Sequence, residues 1–261
     1  MELMLKERVK DKLILRMEGV DPTYMNALRR TVMNDVPTLA IHKVTFYKNS
    51  SGLYDEMIAH RLGLVVLKAD AKNYKLRKSC KCEGKGCVNC ESIITLDAKG
   101  PTIVYAEHLK PKDPKVKPAH EKTVIVKLLK DQELKIEAKA VVGTGKRHTK
   151  FIPGHVFYYG YPEIKINKPS AAQEAASVCP KNVFKKEQNK ISVQNLEACN
   201  LCMACVETCG KDIVEVSSKK DDFLLFIESW GQLKPEELML KAIIIIDNKL
   251  ATFQKQVDKI K

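Results

Sequence analysis

Nine cysteines stand in this 261-residue chain, and eight of them fall in two tight groups. The first group, Cys80-Lys-Cys82-Glu-Gly-Lys-Gly-Cys87-Val-Asn-Cys90, places four thiols within eleven residues. Tetrahedral zinc needs four soft ligands converging on one point, and short Cys-x-Cys and Cys-x-x-Cys bites deliver them. Gly84 and Gly86 allow the tight turns between the bites. Four cysteines leave no open position for water or substrate, so zinc held by Cys80, Cys82, Cys87 and Cys90 would be structural. The plainer alternative is four thiols without a metal. The first residues, MELMLKERVKDK, are charged from the second position onward, which predicts no secretory leader and a reducing cytoplasm. There, grouped cysteines are metal ligands more often than disulfides.

The second group, Cys199-Asn-Leu-Cys202-Met-Ala-Cys205-Val-Glu-Thr-Cys209, has the spacing C-x₂-C-x₂-C-x₃-C. This is the iron–sulfur run of bacterial ferredoxins, in which the fourth cysteine serves the other cluster of a pair. Gly210 stands where proline usually follows. Cys199, Cys202 and Cys205 therefore need a fourth ligand, and Cys179-Pro180 reads as the tail of a preceding copy. The other cysteines of that copy would fall at Pro169, Ala172 and Ala175, and none is present. One cluster held by Cys179, Cys199, Cys202 and Cys205 is expected, [4Fe-4S] or, after loss of one iron, [3Fe-4S], with Cys209 left over. One zinc held by the run alone is the simpler alternative. No G-x-G-x-x-G accompanies the cluster. A lone cluster offers electrons a single stop, so a folding role is at least as good a reading as a redox one.

The elements that must position these groups alternate between strand and helix signals. Leu13, Leu15 and Met17 fall on one face of a strand over Lys12–Glu18. Asp21-Pro22 opens a helix with Met25, Leu28 and Val32 at helical spacing, and Ser51–Leu62 reads as a second helix. Thr123–Leu129 and Glu133–Val142 read as strands, the latter half-buried with Leu134, Ile136, Ala138, Ala140 and Val142 inward. The three prolines of Lys110–Pro118 predict an exposed loop or linker. Pro235-Glu236-Glu237 starts the last helix, about 26 residues and about 39 Å long at 1.5 Å per residue. Along it Met239, Ile243, Ile246, Leu250, Phe253, Val257 and Ile260 step by 4 and 3, a heptad seam suited to a partner chain or to its own domain.

Composition removes several classes. Charged residues are 30% and hydrophobic ones 44%, an ordinary globular balance, and the greasiest run, Ala242–Ile246, is far too short for a membrane helix. The net charge is +13, and Lys110–Lys150 carries 12 basic residues against 5 acidic, a solvated face or an attraction for polyanions. Aromatics are only 6% and no basic–aromatic alternation appears, which argues against a dedicated nucleic-acid motif. No Asp-x-Asp-x-Asp triplet is present to hold catalytic magnesium, and the six histidines are scattered.

Several segments together resemble the alpha-type assembly subunits of cellular RNA polymerases, in particular the archaeal D-type group. They are Asn26-Ala-Leu-Arg-Arg-Thr31 with Val36-Pro37, Tyr54-Asp-Glu-Met-Ile-Ala-His-Arg-Leu-Gly63, Gly145-Lys-Arg-His-Thr-Lys-Phe-Ile-Pro153, and Glu228-Ser-Trp-Gly-Gln-Leu-Lys-Pro-Glu-Glu237. Many archaeal members carry a ferredoxin-like insertion where Cys179–Cys209 lies. The first cysteine group is similar to the zinc loop of the eukaryotic third-largest polymerase subunit, with four residues rather than three between its inner cysteines. The resemblance implies an α+β chain. A discontinuous dimerisation domain comes from 1–40 and 220–261, an antiparallel β-rich insert from 41–167 with the zinc loop at 80–90, and a ferredoxin-like domain from 168–219. It implies a non-catalytic platform that pairs with the smaller L-type subunit through Met25, Leu28, Val32 and the terminal seam. The pair then gathers small zinc subunits and the two large catalytic subunits, with little direct DNA contact. Competing readings are a ferredoxin-type electron carrier or oxidoreductase subunit, and a zinc-dependent DNA-binding regulator, for which no recognition helix stands beside Cys80–Cys90.

Overall fold

The computed structural model describes residues 1–69, 74–83 and 85–260. The chain runs β1 (Glu2–Val9), β2 (Lys12–Glu18), α1 (Pro22–Asp35), β3 (Thr38–Asn49), α2 (Asp55–Gly63), β4 (Leu67–Lys68), β5 (Glu91–Lys99), β6 (Thr102–Tyr105), β7 (Lys110–Pro111), β8 (Lys117–Pro118), β9 (Val124–Leu128) and β10 (Glu133–Gly143). It continues with β11 (Gly154–Ile166), α3 (Glu174–Val178), β12 (Phe184–Glu187), β13 (Lys190–Val193), α4 (Ala204–Cys209), β14 (Val214–Ser229) and α5 (Pro235–Val257). Two compact units emerge. One gathers Met1–Arg8, Leu13–Asn26 and Phe157–Phe226; the other gathers Val9–Lys12, Ala27–Val156 and Ile227–Lys261. The architecture mixes helices with antiparallel sheets.

In the larger unit the sheet order is β3-β10-β5-β7. The central strand β10 pairs antiparallel on both sides, with Ile136 opposite Phe46 on one and Leu96 on the other. Leu134, Ile136, Ala138 and Ala140 alternate inward as expected, and pack with Ile58 and Leu62 of α2 and Ile125 and Leu128 of β9. The alternation then breaks: a register shift lies between Lys139 and Ala140, and beyond it Val141 is buried too, in a second small core with Ala40 and Phe151. The helix α2 begins at Asp55 rather than Ser51 because Asn49 holds the preceding turn. Its side chain accepts from the Ser51 amide at 3.0 Å and donates to the Leu53 carbonyl at 2.9 Å and to Asp55 at 2.7 Å. Asp55 and Glu56 then meet the positive end of the helix.

Lys110–Pro118 is a largely exposed loop, as its prolines predict, but it is tied down at both ends and the middle. Pro111 pairs opposite Ile94 and Pro118 opposite Leu67, and Val116 is buried between them. The Tyr74 hydroxyl donates to Asp113 at 2.5 Å and pins the middle.

In the other unit Leu13, Leu15 and Met17 of β2 are buried on one face, as the alternation predicts. Asp21 caps α1 by accepting from the Thr23 amide at 2.7 Å. The sheet order β1-β2-β14-β11 sets chain segments from opposite ends of the sequence side by side. Across that pairing the Arg16 guanidinium makes three bonds, 3.0, 3.2 and 2.6 Å, to the carboxylate of fully buried Asp222. Removing one partner of a buried pair strands the other charge. Asp222→Ala should therefore lower stability by about 3 kcal/mol, the lower end for such pairs because Arg16 keeps some solvent and Glu18 nearby. Urea denaturation of the full chain measures this; a loss below about 1 kcal/mol would contradict the role given to the pair.

Candidate metal centres and the terminal helix

The first cysteine group closes on itself. None of the four cysteines is in a disulfide, and their Sγ atoms lie within 4.8 Å of one another. Cys80–Cys87 and Cys82–Cys90 are 3.5 Å apart and Cys87–Cys90 3.8 Å. A tetrahedron of sulfurs about 2.3 Å from a central ion has edges of about 3.8 Å, whereas a disulfide would bring two sulfurs to about 2.05 Å. The loop is therefore shaped for one ion and not for bridges.

Local backbone explains the convergence. The Cys90 and Glu91 amides both donate to the Cys87 carbonyl at 2.9 Å, and the Cys87 amide donates to the Cys90 sulfur at 3.3 Å. The Glu83 amide donates to the Cys80 carbonyl, turning the first bite. Cys90 sits one residue before β5, so the last ligand is anchored to the core sheet. Arg77 and Glu91 form an ion pair across the two ends of the loop. Gly86 has φ +97°, and a Cβ there would stand 2.7 Å from the Glu91 carboxylate, so only glycine fits. Gly84, the other expected turn residue, lies outside the described residues.

The second group is gathered differently. Cys179, Cys199, Cys202 and Cys205 line one cavity, walled by Ile164, Val183, Phe184, Met203 and Val216. Cys209 does not line it. Among the described residues only the Cys80 set has its sulfurs within 4.8 Å of one another. The second set shares a cavity without closing to that spacing. Leu201 and Met203, between the ligands, adopt left-handed backbone at φ 59° and 65°. Such strain in side-chain-bearing residues persists where the surroundings demand it. The Val183 amide donates to the Cys179 sulfur at 3.5 Å. Burial pushes the Cys199 and Cys205 thiols above the usual range. Ala172 and Ala175, at two positions where a first cluster would need ligands, are fully buried, and Cys209 packs partly buried in the same core.

The two apolar helix faces part company. Met25, Leu28 and Val32 are completely buried within this chain, so the expectation that they await a partner is corrected: they are core. The seam of α5 is divided. Met239 is buried and Ile243 and Ile246 half-buried, whereas Leu250 is 61% and Phe253 65% exposed. Val257 is half-buried, Ile260 lies past the helix, and Leu240 and Ile244 on the flank are also exposed. The helix outruns the core beneath it, and its outer half carries apolar side chains into solvent. Among the described residues no helix is long and apolar enough to cross a membrane.

By sequence, this antiparallel insert with its cysteine loop is that of an alpha-like RNA polymerase subunit. Residues 43–153 match the RNA polymerase Rpb3/RpoA insert domain. Over nearly its whole length the chain is similar to the DNA-directed RNA polymerase subunit Rpo3 of Methanosphaera stadtmanae, 34% identical over 95% of this chain and 96% of that protein. The Rpo3 of Archaeoglobus fulgidus is 35% identical over 99% and 98%, and that of Methanothermobacter thermautotrophicus 37% over 95% and 96%. The chain belongs to the Rpo3 family of DNA-directed RNA polymerase subunits.

Burial pushes the Cys90 thiol up to about 12. An ion entering the Cys80–Cys90 loop must displace that proton around neutral pH, because only thiolates ligate. Protons compete harder as pH falls, so affinity should rise with pH, about tenfold per unit for each proton displaced. Anaerobic competition with a chromogenic chelator at two pH values checks this; equal affinities would argue against thiolate ligation.

Proposed function

We propose that the chain is the non-catalytic assembly platform of a cytoplasmic DNA-dependent RNA polymerase, pairing with an L-type alpha-like subunit. The observation that carries this is the outer half of α5, where the seam continues through Leu250 and Phe253 with nothing of its own fold to cover them. Contiguous exposed apolar side chains at coiled-coil spacing mark a protein–protein surface. In this reading the dimerisation domain is assembled from 1–40 and 220–261, the β-rich insert is 41–167 and a ferredoxin-like lobe is 168–219. The heterodimer presents these to small zinc subunits and the two large catalytic subunits, and touches DNA little. Cys80, Cys82, Cys87 and Cys90 hold one structural zinc. Cys179, Cys199, Cys202 and Cys205 hold one iron–sulfur cluster, [4Fe-4S] or [3Fe-4S], that stabilises its lobe and tunes assembly.

Similarity to Rpo3 proteins over 95–99% of the chain disfavours a dedicated electron carrier, which would leave most of the sequence without a task.

Leu250→Asp with Phe253→Asp tests the platform. Both side chains are exposed, so thermal melting of the chain alone should stay unchanged. Losing two buried apolar anchors at about 1.5–3 kcal/mol each should weaken the heterodimer by about a hundredfold or more. Size exclusion with the coexpressed L-type partner measures it, and an undisturbed heterodimer would sink the reading. Anaerobically purified protein should contain one zinc and three or four irons per chain. Cys202→Ser should remove the iron, keep the zinc and reduce the yield of assembled enzyme more than its specific activity. Iron retained in that variant would exclude Cys202 as a ligand.

A further inference from the structure

The segment Gly145–Pro153 buries Phe151 and brings two of its cations onto one histidine. The Arg147 guanidinium lies 3.1 Å from Nε2 of His42, and the Lys150 ammonium 3.3 Å from Nδ1 of the same ring. Lys150 also donates to the Ile41 carbonyl at 2.8 Å, which fixes its position. Neutral imidazole has one acceptor nitrogen and one N–H, whichever tautomer it adopts. Two donors therefore face a ring that can accept from only one. Lys150 keeps the Ile41 carbonyl and Arg147 can take the ring, but among the described residues no carboxylate pairs with either cation to balance the charge they bring together. Burial and then Arg147 hold Lys150 below the usual lysine range; burial, Lys150 and Arg147 do the same to His42. His42 and Arg147 are exposed and Lys150 half-buried, so an acceptor can reach them.

We propose that Arg147, Lys150 and His42 form a docking site for a carboxylate side chain of a neighbouring polymerase subunit, an inference that rests on the platform reading above. A carboxylate offers up to four acceptor positions in a flat array and can serve both cations, leaving His42 free to accept or donate at its edge. The compactness of the site favours a protein carboxylate over nucleic acid. Binding to a phosphate backbone needs a track of several spaced cations, and here two cations converge on one point. The family of polymerase subunits to which the chain belongs supplies neighbours, and the site faces out of the insert that they would meet.

Carbodiimide treatment of polymerase holoenzyme containing the full chain tests this, because the reagent joins an amine to a touching carboxylate as an amide with loss of water. The expected result is a cross-link from Lys150 to an aspartate or glutamate of another subunit. Arg147→Gln should leave melting and the L-type heterodimer unchanged and lower recovery of the complete enzyme about tenfold or more, with Arg147→Lys recovering part of it. No cross-link, with Lys150 acetylated as readily in the holoenzyme as in the isolated heterodimer, would overturn the proposal. Protection of Lys150 only on adding duplex DNA would overturn it in favour of nucleic acid. A failed heterodimer in the unsubstituted protein would instead strike the platform reading.

Discussion

The contact on which the fold turns is the ion pair of Arg16 with Asp222. It spans 206 residues of sequence, and its carboxylate has no solvent exposure. Burying a carboxylate is costly unless it is matched, and here it accepts three guanidinium bonds while the guanidinium stacks 3.8 Å over the Tyr161 ring. An apolar pair of similar volume could have contributed as much stability. What the charge adds is alignment. A slip of one residue in the pairing of β14 would point Asp222 to the opposite face of its sheet, away from Arg16. Joining β2 to β14 in one register makes the chain from β2 to β11, and again from β11 to β14, an excursion that leaves one sheet and returns to it, so lobes of different chemistry can be carried without altering the join.

The two cysteine lobes differ in how much they need a metal. Between Cys80 and Cys90 the only apolar side chain besides the thiols is Val88, which is 84% exposed. That loop has no core of its own, and four sulfurs are its convergent groups. Ligation energy would be close to its whole folding energy. The lobe around Cys179–Cys209 is otherwise built. Phe184, Ile191, Val183 and Val214 form a core with Ala172 and Ala175, and the β12–β13 hairpin closes it with four paired residues on each strand. Loss of a cluster there would remove a clamp from a lobe that keeps a framework. In the reading proposed above, the first site acts as a fixed brace and the second is the one whose occupancy can vary with conditions while the chain remains folded.

Periodicity and spacing made much of this visible in the sequence. The alternation of Leu13, Leu15 and Met17, the Asp21-Pro22 start and the Pro235 start all stand where they were expected. The eleven-residue thiol loop does converge, because its bites are local and need no distant partner. What stayed hidden was decided at long range. A stripe such as Met25, Leu28 and Val32 announces that something must cover it and is silent on whether the cover is the same chain. In α1 it is; in α5 the cover stops near Ile246 and the stripe continues to Phe253. Lys110–Pro118 has the composition of a linker, yet Tyr74 and the edges of β4 and β5 secure it. His42 is unremarkable in sequence, since its neighbours Arg147 and Lys150 lie more than a hundred positions away.

The basic stretch from Lys110 to Lys150 illustrates why net charge alone says little about partners. Lys122 pairs with Glu107 at 3.0 Å and Lys135 with Asp97 at 3.4 Å, the first between a turn and a short helix and the second on strands, both at the surface where such pairs are worth little and water would serve nearly as well. These lysines are solvated with or without company, so their number does not call for a polyanion. Arg147 and Lys150 are different because they converge: one is aimed at a ring nitrogen, the other at the same ring and a carbonyl, and among the described residues no carboxylate stands with them. A flexible surface lysine short of an acceptor swings into water; a half-buried lysine held on a backbone carbonyl cannot do so without giving up that bond. The deficit therefore belongs to the geometry rather than to the charge count, and geometry of that kind is met by an acceptor brought on a second rigid body.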